Sequence, residues 1–261
     1  MTSTMPDPIP TSRSPRNRVP EIIFIYWVIK IAATTLGETG ADMFSQTYAV
    51  GYGLTILLFM AVFGGVLAIK LATARYRPAL YWAVFTASAI VGTAISDFID
   101  RTLGVGYALG ALGLLGVLLI VLGWWRQTEG SINVEVIRTG RAEGFYWLAF
   151  LVANTLGTAA GDYFADDLGI GFLTSAALIA GVLVGLIGLH FLTKVPGGIL
   201  FWLAFVLTRP FGATFGDLLT KSSDAGGLDL GTVGTSVVFG VGLVAAVAYE
   251  SRLERARPPA R

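Results

Sequence analysis

Eight apolar runs, each about 20 residues long and closed off by polar residues, divide this chain of 261 residues. A helix of that length spans the roughly 30 Å hydrocarbon layer of a bilayer. The runs are Ile22–Phe44, Gly51–Lys70, Ala79–Ile99, Leu103–Trp125, Phe145–Ala165, Gly169–Leu192, Gly197–Thr220 and Leu230–Tyr249. Membrane-spanning strands would be about half as long and would alternate in polarity, and these runs do neither. The chain is 54% hydrophobic and 13% charged, where a soluble domain carries about a quarter charged residues. The expectation is an all-α polytopic membrane protein with eight transmembrane helices.

A repeat organises those runs. A tryptophan opens every odd-numbered one (Trp27, Trp82, Trp147, Trp202), at spacings of 55, 65 and 55 residues. Ten residues after each stands a glycine (Gly37, Gly92, Gly157, Gly212), and fifteen after each an aspartate (Asp42, Asp97, Asp162, Asp217). The strings are TTLGETGAD, AIVGTAISD, NTLGTAAGD and RPFGATFGD. The next run opens with GYG, GYA and GFL in the first three copies; the fourth carries an insertion, TKSSDAGGLD, before its equivalent glycine, Gly231. Each copy crosses twice and so returns to its starting side, which makes the repeats parallel: four tandem helical hairpins pointing the same way. The implied organisation is a disordered cytoplasmic tail over 1–20, repeats over 21–75 and 76–126, a polar cytoplasmic linker over 127–142, repeats over 143–194 and 195–250, and a basic cytoplasmic tail over 251–261.

Charge orients the whole. Of the 18 Lys and Arg residues, 14 lie on the tryptophan side, two (Arg101 and Lys221) on the aspartate side, and two (Lys30 and Arg209) inside runs. The positive-inside bias predicts that the tryptophan ends and both termini are cytoplasmic. The net charge of +1 supports no nucleic-acid partner, and the bilayer itself is the expected partner.

The repeated Trp, Gly and Asp positions resemble a bacterial family of uncharacterised membrane-anchored proteins, over about residues 22–250. That resemblance implies four tandem repeats of two transmembrane segments each and a bacterial inner-membrane location. It implies no activity.

Chemistry is concentrated on one stripe of each odd helix. Fifteen residues of helix rise about 22 Å, so the aspartates sit in the outer third of the bilayer or at its boundary, above interfacial tryptophans. Residues at i, i+4, i+7 and i+8 share a face. That face is Thr34, Glu38, Ala41, Asp42 in the first copy; Ala89, Thr93, Ser96, Asp97 in the second; Asn154, Thr158, Gly161, Asp162 in the third; and Arg209, Ala213, Gly216, Asp217 in the fourth.

Two readings of the stripe stand at this point. Small residues and hydroxyls serve helix adhesion, and aspartates cap helices or close turns. Alternatively, the four odd helices gather Glu38, Asp42, Asp97, Asp162 and Asp217, with Thr34, Thr93, Asn154 and Thr158, around a water-accessible site for a divalent metal or protons. Glu38 has no acidic counterpart in the other copies. Lys30 and Arg209 also break the symmetry, as charge-pairing or gating groups, with Glu38 the expected counter-charge of Arg209. Pro210 interrupts the seventh run. The acidic loop residues Asp100, Asp166, Asp167, Asp224 and Asp229 read as solvated charge.

The absence of cysteine, with one histidine and no HExxH, P-loop or GxSxG string, argues against an enzyme and implies no cofactor. The expected function is a secondary transporter or channel for a small cation; the alternative is a non-transporting membrane scaffold.

Overall fold

The structure is a computed structural model that describes residues 17–256 apart from 74, 133, 135 and 196, and excludes the side chains of 197–199, 201 and 202. Trp202, singled out in the sequence, therefore has its side chain outside the described residues. The described residues form eight long helices and no strand. The helices are α1 (Phe24–Asp42), α2 (Tyr52–Ala72), α3 (Pro78–Asp97), α4 (Tyr107–Glu129), α5 (Gly140–Asp162), α6 (Phe172–Leu192), α7 (Gly197–Thr220) and α8 (Thr232–Ala256). Five of these stretches, α2, α3 with its extension to Thr102, α4, α6 and α8, are long and apolar enough to cross a membrane.

The odd helices close into an inner ring: α1 packs on α3, α3 on α5, α5 on α7, and α7 back on α1. Close approach is what the repeated glycines provide. A Cβ on Gly37 would lie 2.5 Å from the Ala89 Cβ, one on Gly92 2.8 Å from the Asn154 Cβ, one on Gly157 2.2 Å from the Arg209 Cγ, and one on Gly212 2.3 Å from the Thr34 Oγ1. Each motif glycine thus meets the residue seven past the tryptophan position of the next repeat, and the fourth meets the first. The repeat is cyclic.

The hairpin expectation needs correction. The two helices of one repeat are not each other's main partner; α2 packs on α3, α4 on α5, α6 on α7, and α8 closes onto α1. The polar, small-residue face of each odd helix is spent on the ring, so its outer apolar face receives the even helix of the preceding repeat. Even helices are apolar nearly all round, and their leucines and valines face outward, among them Leu57, Leu119, Val184 and Val244. Over its most apolar stretch α3 is 72% buried, while α2, α4 and α8 are 17% buried, which separates an inner layer from an outer one.

The turn at each aspartate is also specific. In the first three repeats the helix continues past the Asp as a five-residue π-helical turn, Met43–Thr47, Phe98–Thr102 and Tyr163–Asp167. In the fourth, the insertion replaces it with a short 3₁₀ turn, Ser223–Ala225. Gly51, Gly106, Gly171 and Gly231 start the even helices at φ of 78°, 80°, 80° and 74°, a region that side chains with a Cβ avoid. The aspartates make no side-chain capping bond there, which removes the capping explanation for Asp42, Asp97 and Asp162.

At the opposite end, α5 opens on a capping residue, Thr139, whose Oγ1 accepts from the Ala142 N–H at 3.0 Å. Thr139→Ala is expected to lower stability by about 1 kcal/mol, measured as a shift in the denaturant midpoint, with the ring intact.

Candidate functional site

From the tryptophan end upward, the ring axis is first aromatic and then polar. Tyr26, Tyr81 and Tyr146, each just before a repeat tryptophan, are fully buried, and the Tyr81 and Tyr146 hydroxyls share a hydrogen bond at 2.5 Å. Trp82 and Trp147 are buried as well, with Trp27 half-buried. The Trp82 and Trp147 rings face into the bundle: the Trp82 indole donates to Glu250 Oε2 at 2.7 Å, while Trp147 packs against Tyr81, Tyr146 and Phe150. Burial and then the Glu250 carboxylate raise the pKa of Tyr76, which donates to the other Glu250 oxygen at 2.7 Å. Above the tryptophans, Phe85, Phe150 and Phe205 stack edge to face at 5.5 and 5.0 Å. Lys30 occupies the fourth position of that layer, its ammonium 3.2 Å from the Phe205 ring centre and donating to the Phe205 carbonyl at 2.7 Å.

The next two levels contain the polar core. Arg209 on α7 rises beside α1 and α3. Its Nη2 donates to Thr93 Oγ1 at 2.5 Å and to Thr158 Oγ1 at 2.7 Å. Those hydroxyls donate onward to Glu38 Oε2 at 3.1 and 3.3 Å, and Arg209 Nη1 reaches the same oxygen at 3.5 Å. The predicted pairing of Arg209 with Glu38 is present, and two threonines at the repeat position of Glu38 join it. Thr34 Oγ1 donates back to the Lys30 carbonyl at 3.0 Å, and the Asn154 amide donates to Ser88 Oγ at 2.9 Å, so these two brace the helices beside the pair.

One turn higher lies the aspartate ring. Asp42, Asp97, Asp162 and Asp217 are each 1–2% exposed and come from four different helices. Two cations clip them in pairs. Arg101 Nε lies 3.1 Å from Asp97 and its Nη2 3.9 Å from Asp162, while Lys221 Nζ lies 2.5 Å from Asp42 and 3.2 Å from Asp217. Burial opposes the Lys221 charge, but Asp217 and Asp42 outweigh it and hold its pKa above the ordinary lysine value. The Gln46 amide adds a bond to Asp42 at 2.5 Å. Sequence reasoning used Arg101 and Lys221 only to orient the chain. The missed signal is their position, four residues past a motif aspartate on the same helical face, in the second and fourth repeats alone.

The five sequence-predicted carboxylates fall into two linked sets, Asp97 and Asp162 joined through Arg101, and Glu38, Asp42 and Asp217 grouped on their own. One oxygen each from Glu38, Asp42 and Asp217 lies within 4.8 Å of the others, a spacing suited to a small hard cation. Fully ionised, the five carboxylates outnumber Arg101, Arg209 and Lys221 by two charges, and among the described residues Asp162 Oδ2 has no hydrogen-bond donor. One loop acid departs from expectation: Asp100 is buried, accepting from Ser96 at 3.4 Å, because Gly110 of α4 leaves room for its carboxylate.

A family profile described as "Repeat of Unknown Function (DUF347)" matches residues 25–76, 80–131, 145–195 and 200–256. The chain belongs to the DUF347 repeat family. The four DUF347 copies coincide with the four inner-outer helix pairs, and the family description carries no activity to transfer. No curated protein and no solved structure matches the chain.

Proposed function

We propose that this chain is a secondary transporter or channel for a small cation, a divalent metal or protons, spanning the bacterial inner membrane eight times with both termini cytoplasmic. The observation that carries this reading is the convergence of five buried carboxylates from four quasi-equivalent helices on one axis, in excess of the cations beside them. A carboxylate inside a membrane costs several kcal/mol unless paired or hydrated, so an excess of them needs a mobile positive partner. Arg101 and Lys221 are partly exposed and stand at the outer mouth, where they act as tethered cations that the substrate displaces. Glu38 is the innermost ligand. Arg209 neutralises it when no cation is bound.

The aromatic layers close the cytoplasmic side in this conformation, so movement through the axis requires the tyrosine and phenylalanine rings to part. That closure, together with the pairing of carboxylates by Arg101, Arg209 and Lys221, is the observation that favours the second reading, a membrane scaffold with a structural ion network. Flux separates the two. Proteoliposomes loaded with Mn²⁺- or pH-sensitive dye are expected to respond for the wild-type chain and to lose at least about tenfold in rate for Asp97→Asn. Wild-type vesicles that respond no faster than empty ones favour the scaffold.

A further inference from the structure

We propose that a single-chain amphiphile with a carboxylate head, of the long-chain fatty acid class, enters the bundle sideways and docks in the cleft between α4, α5 and α7 with its head on Lys30. This cleft encloses about 430 Å³ and is walled by apolar residues such as Ala111, Leu115, Ala153 and Val206. Its polar lining comes from Lys30, Asn154, Arg209 and, at the far end, Tyr163. Along α5 the lining runs from Phe150 to Ala160, about 15 Å of helix, and continues onto Tyr163 and Phe164 of the turn beyond, so it matches the roughly 15 Å depth of one leaflet's hydrocarbon.

Charge selects the head. Cations within a membrane protein pair with an acid or a carbonyl, and Lys30 is only half provided for. It is 2% exposed, gives one hydrogen bond to the Phe205 carbonyl, rests on the Phe205 ring, and among the described residues makes no ion pair. An ammonium has three donors, so two remain for a carboxylate. Arg209, lining the same cleft and 3% exposed, has a buried Nε with no hydrogen-bond partner among the described residues. Lys30 lies three residues inside the tryptophan level, which sets a head near the cytoplasmic boundary and leaves the tail to follow α5 toward the middle of the bilayer. A second lateral cleft, about 520 Å³ between α2, α3 and α8, is lined by no charged residue and serves as an internal control.

This inference does not rest on cation movement. The test is binding by the full chain in lipid nanodiscs, with a long-chain fatty acid brominated close to its carboxylate as the probe, because bromine quenches tryptophan and the Trp27 ring lies 5.6 Å from the Lys30 ammonium. The acid is expected to quench saturably and about tenfold more tightly than its methyl ester. Lys30→Gln should equalise the two, Lys30→Arg should keep the preference, and Ala153→Leu should lower binding of both by filling the cleft. An acid preference that survives Lys30→Gln, or no preference in the wild type, overturns the proposal. So does a single-chain phosphate amphiphile that binds tenfold tighter than the carboxylate. If Lys30→Gln fails to fold, Lys30→Arg and Ala153→Leu give the same decision through retained preference and lost binding.

Discussion

Glu38→Gln is expected to destabilise the protein by about 3–5 kcal/mol and to abolish cation flux. The reason is what stays behind. Arg209 is buried at the level of Thr93 and Thr158, which accept from it but carry no charge, and Glu38 is the carboxylate that reaches it. Removing one member of a buried pair strands the other, whereas replacing both removes the desolvation problem altogether. The double change Glu38→Gln with Arg209→Met should therefore recover most of the lost stability in detergent-driven unfolding without recovering flux. A double variant as unstable as the sum of its parts would show that the two charges do not act as a pair.

Gly212→Leu is expected to prevent assembly of the ring, giving aggregated protein on gel filtration. Gly212 is where the fourth repeat meets the first, and even a Cβ there would lie 2.3 Å from Thr34 Oγ1, 2.5 Å from Thr34 Cβ and 3.0 Å from its carbonyl carbon. The last of these is backbone, which cannot turn aside. Overpacking a well-filled site costs about 1–3 kcal/mol for modest additions, and a leucine adds far more than a methyl. Gly212→Ala should fall between, folded but less stable by roughly 2 kcal/mol. Gly113 on the outward-facing α4 is the control: a Cβ there meets nothing within 4 Å, so Gly113→Ala should be neutral or mildly stabilising. Equal effects at Gly212 and Gly113 would remove the glycine contacts as the basis of the ring.

Much of this arrangement was legible in the residues because it depends on periodicity. The Trp, Gly and Asp positions at fixed offsets placed the four aspartates at one depth and on one helical stripe, and buried carboxylates of four parallel helices have few places to be except a shared axis. The Arg209–Glu38 pair was legible for the same reason: they stand about one turn apart in the repeat register, and ring closure makes α7 and α1 neighbours.

What was not legible depends on which face each helix gives to which neighbour. Even helices are so uniformly apolar that nothing in α2 says whether it packs on α1 or α3. Trp82 reads as interfacial because tryptophan favours that zone, and only the distant Glu250 on α8, brought in by ring closure, makes it an internal donor. Arg101 and Lys221 looked like the tail of an orientation bias. Their distance of four residues from Asp97 and Asp217 acquires meaning only when the neighbouring Asp162 and Asp42 come within reach. The π-helical turn Phe98–Thr102, which puts Arg101 over the ring, has no sequence signature in the residues that form it.

Binding of a small cation by the buried carboxylates is directly measurable. Infrared difference spectroscopy on the lipid-reconstituted chain, recorded on exchange between high and low proton or Mn²⁺ concentration, reads those groups directly. A saturable change in carboxylate stretching bands is expected in the wild type and is lost in Glu38→Gln with Asp42→Asn. Spectra that are identical across both exchanges, in a protein that is folded, would contradict it.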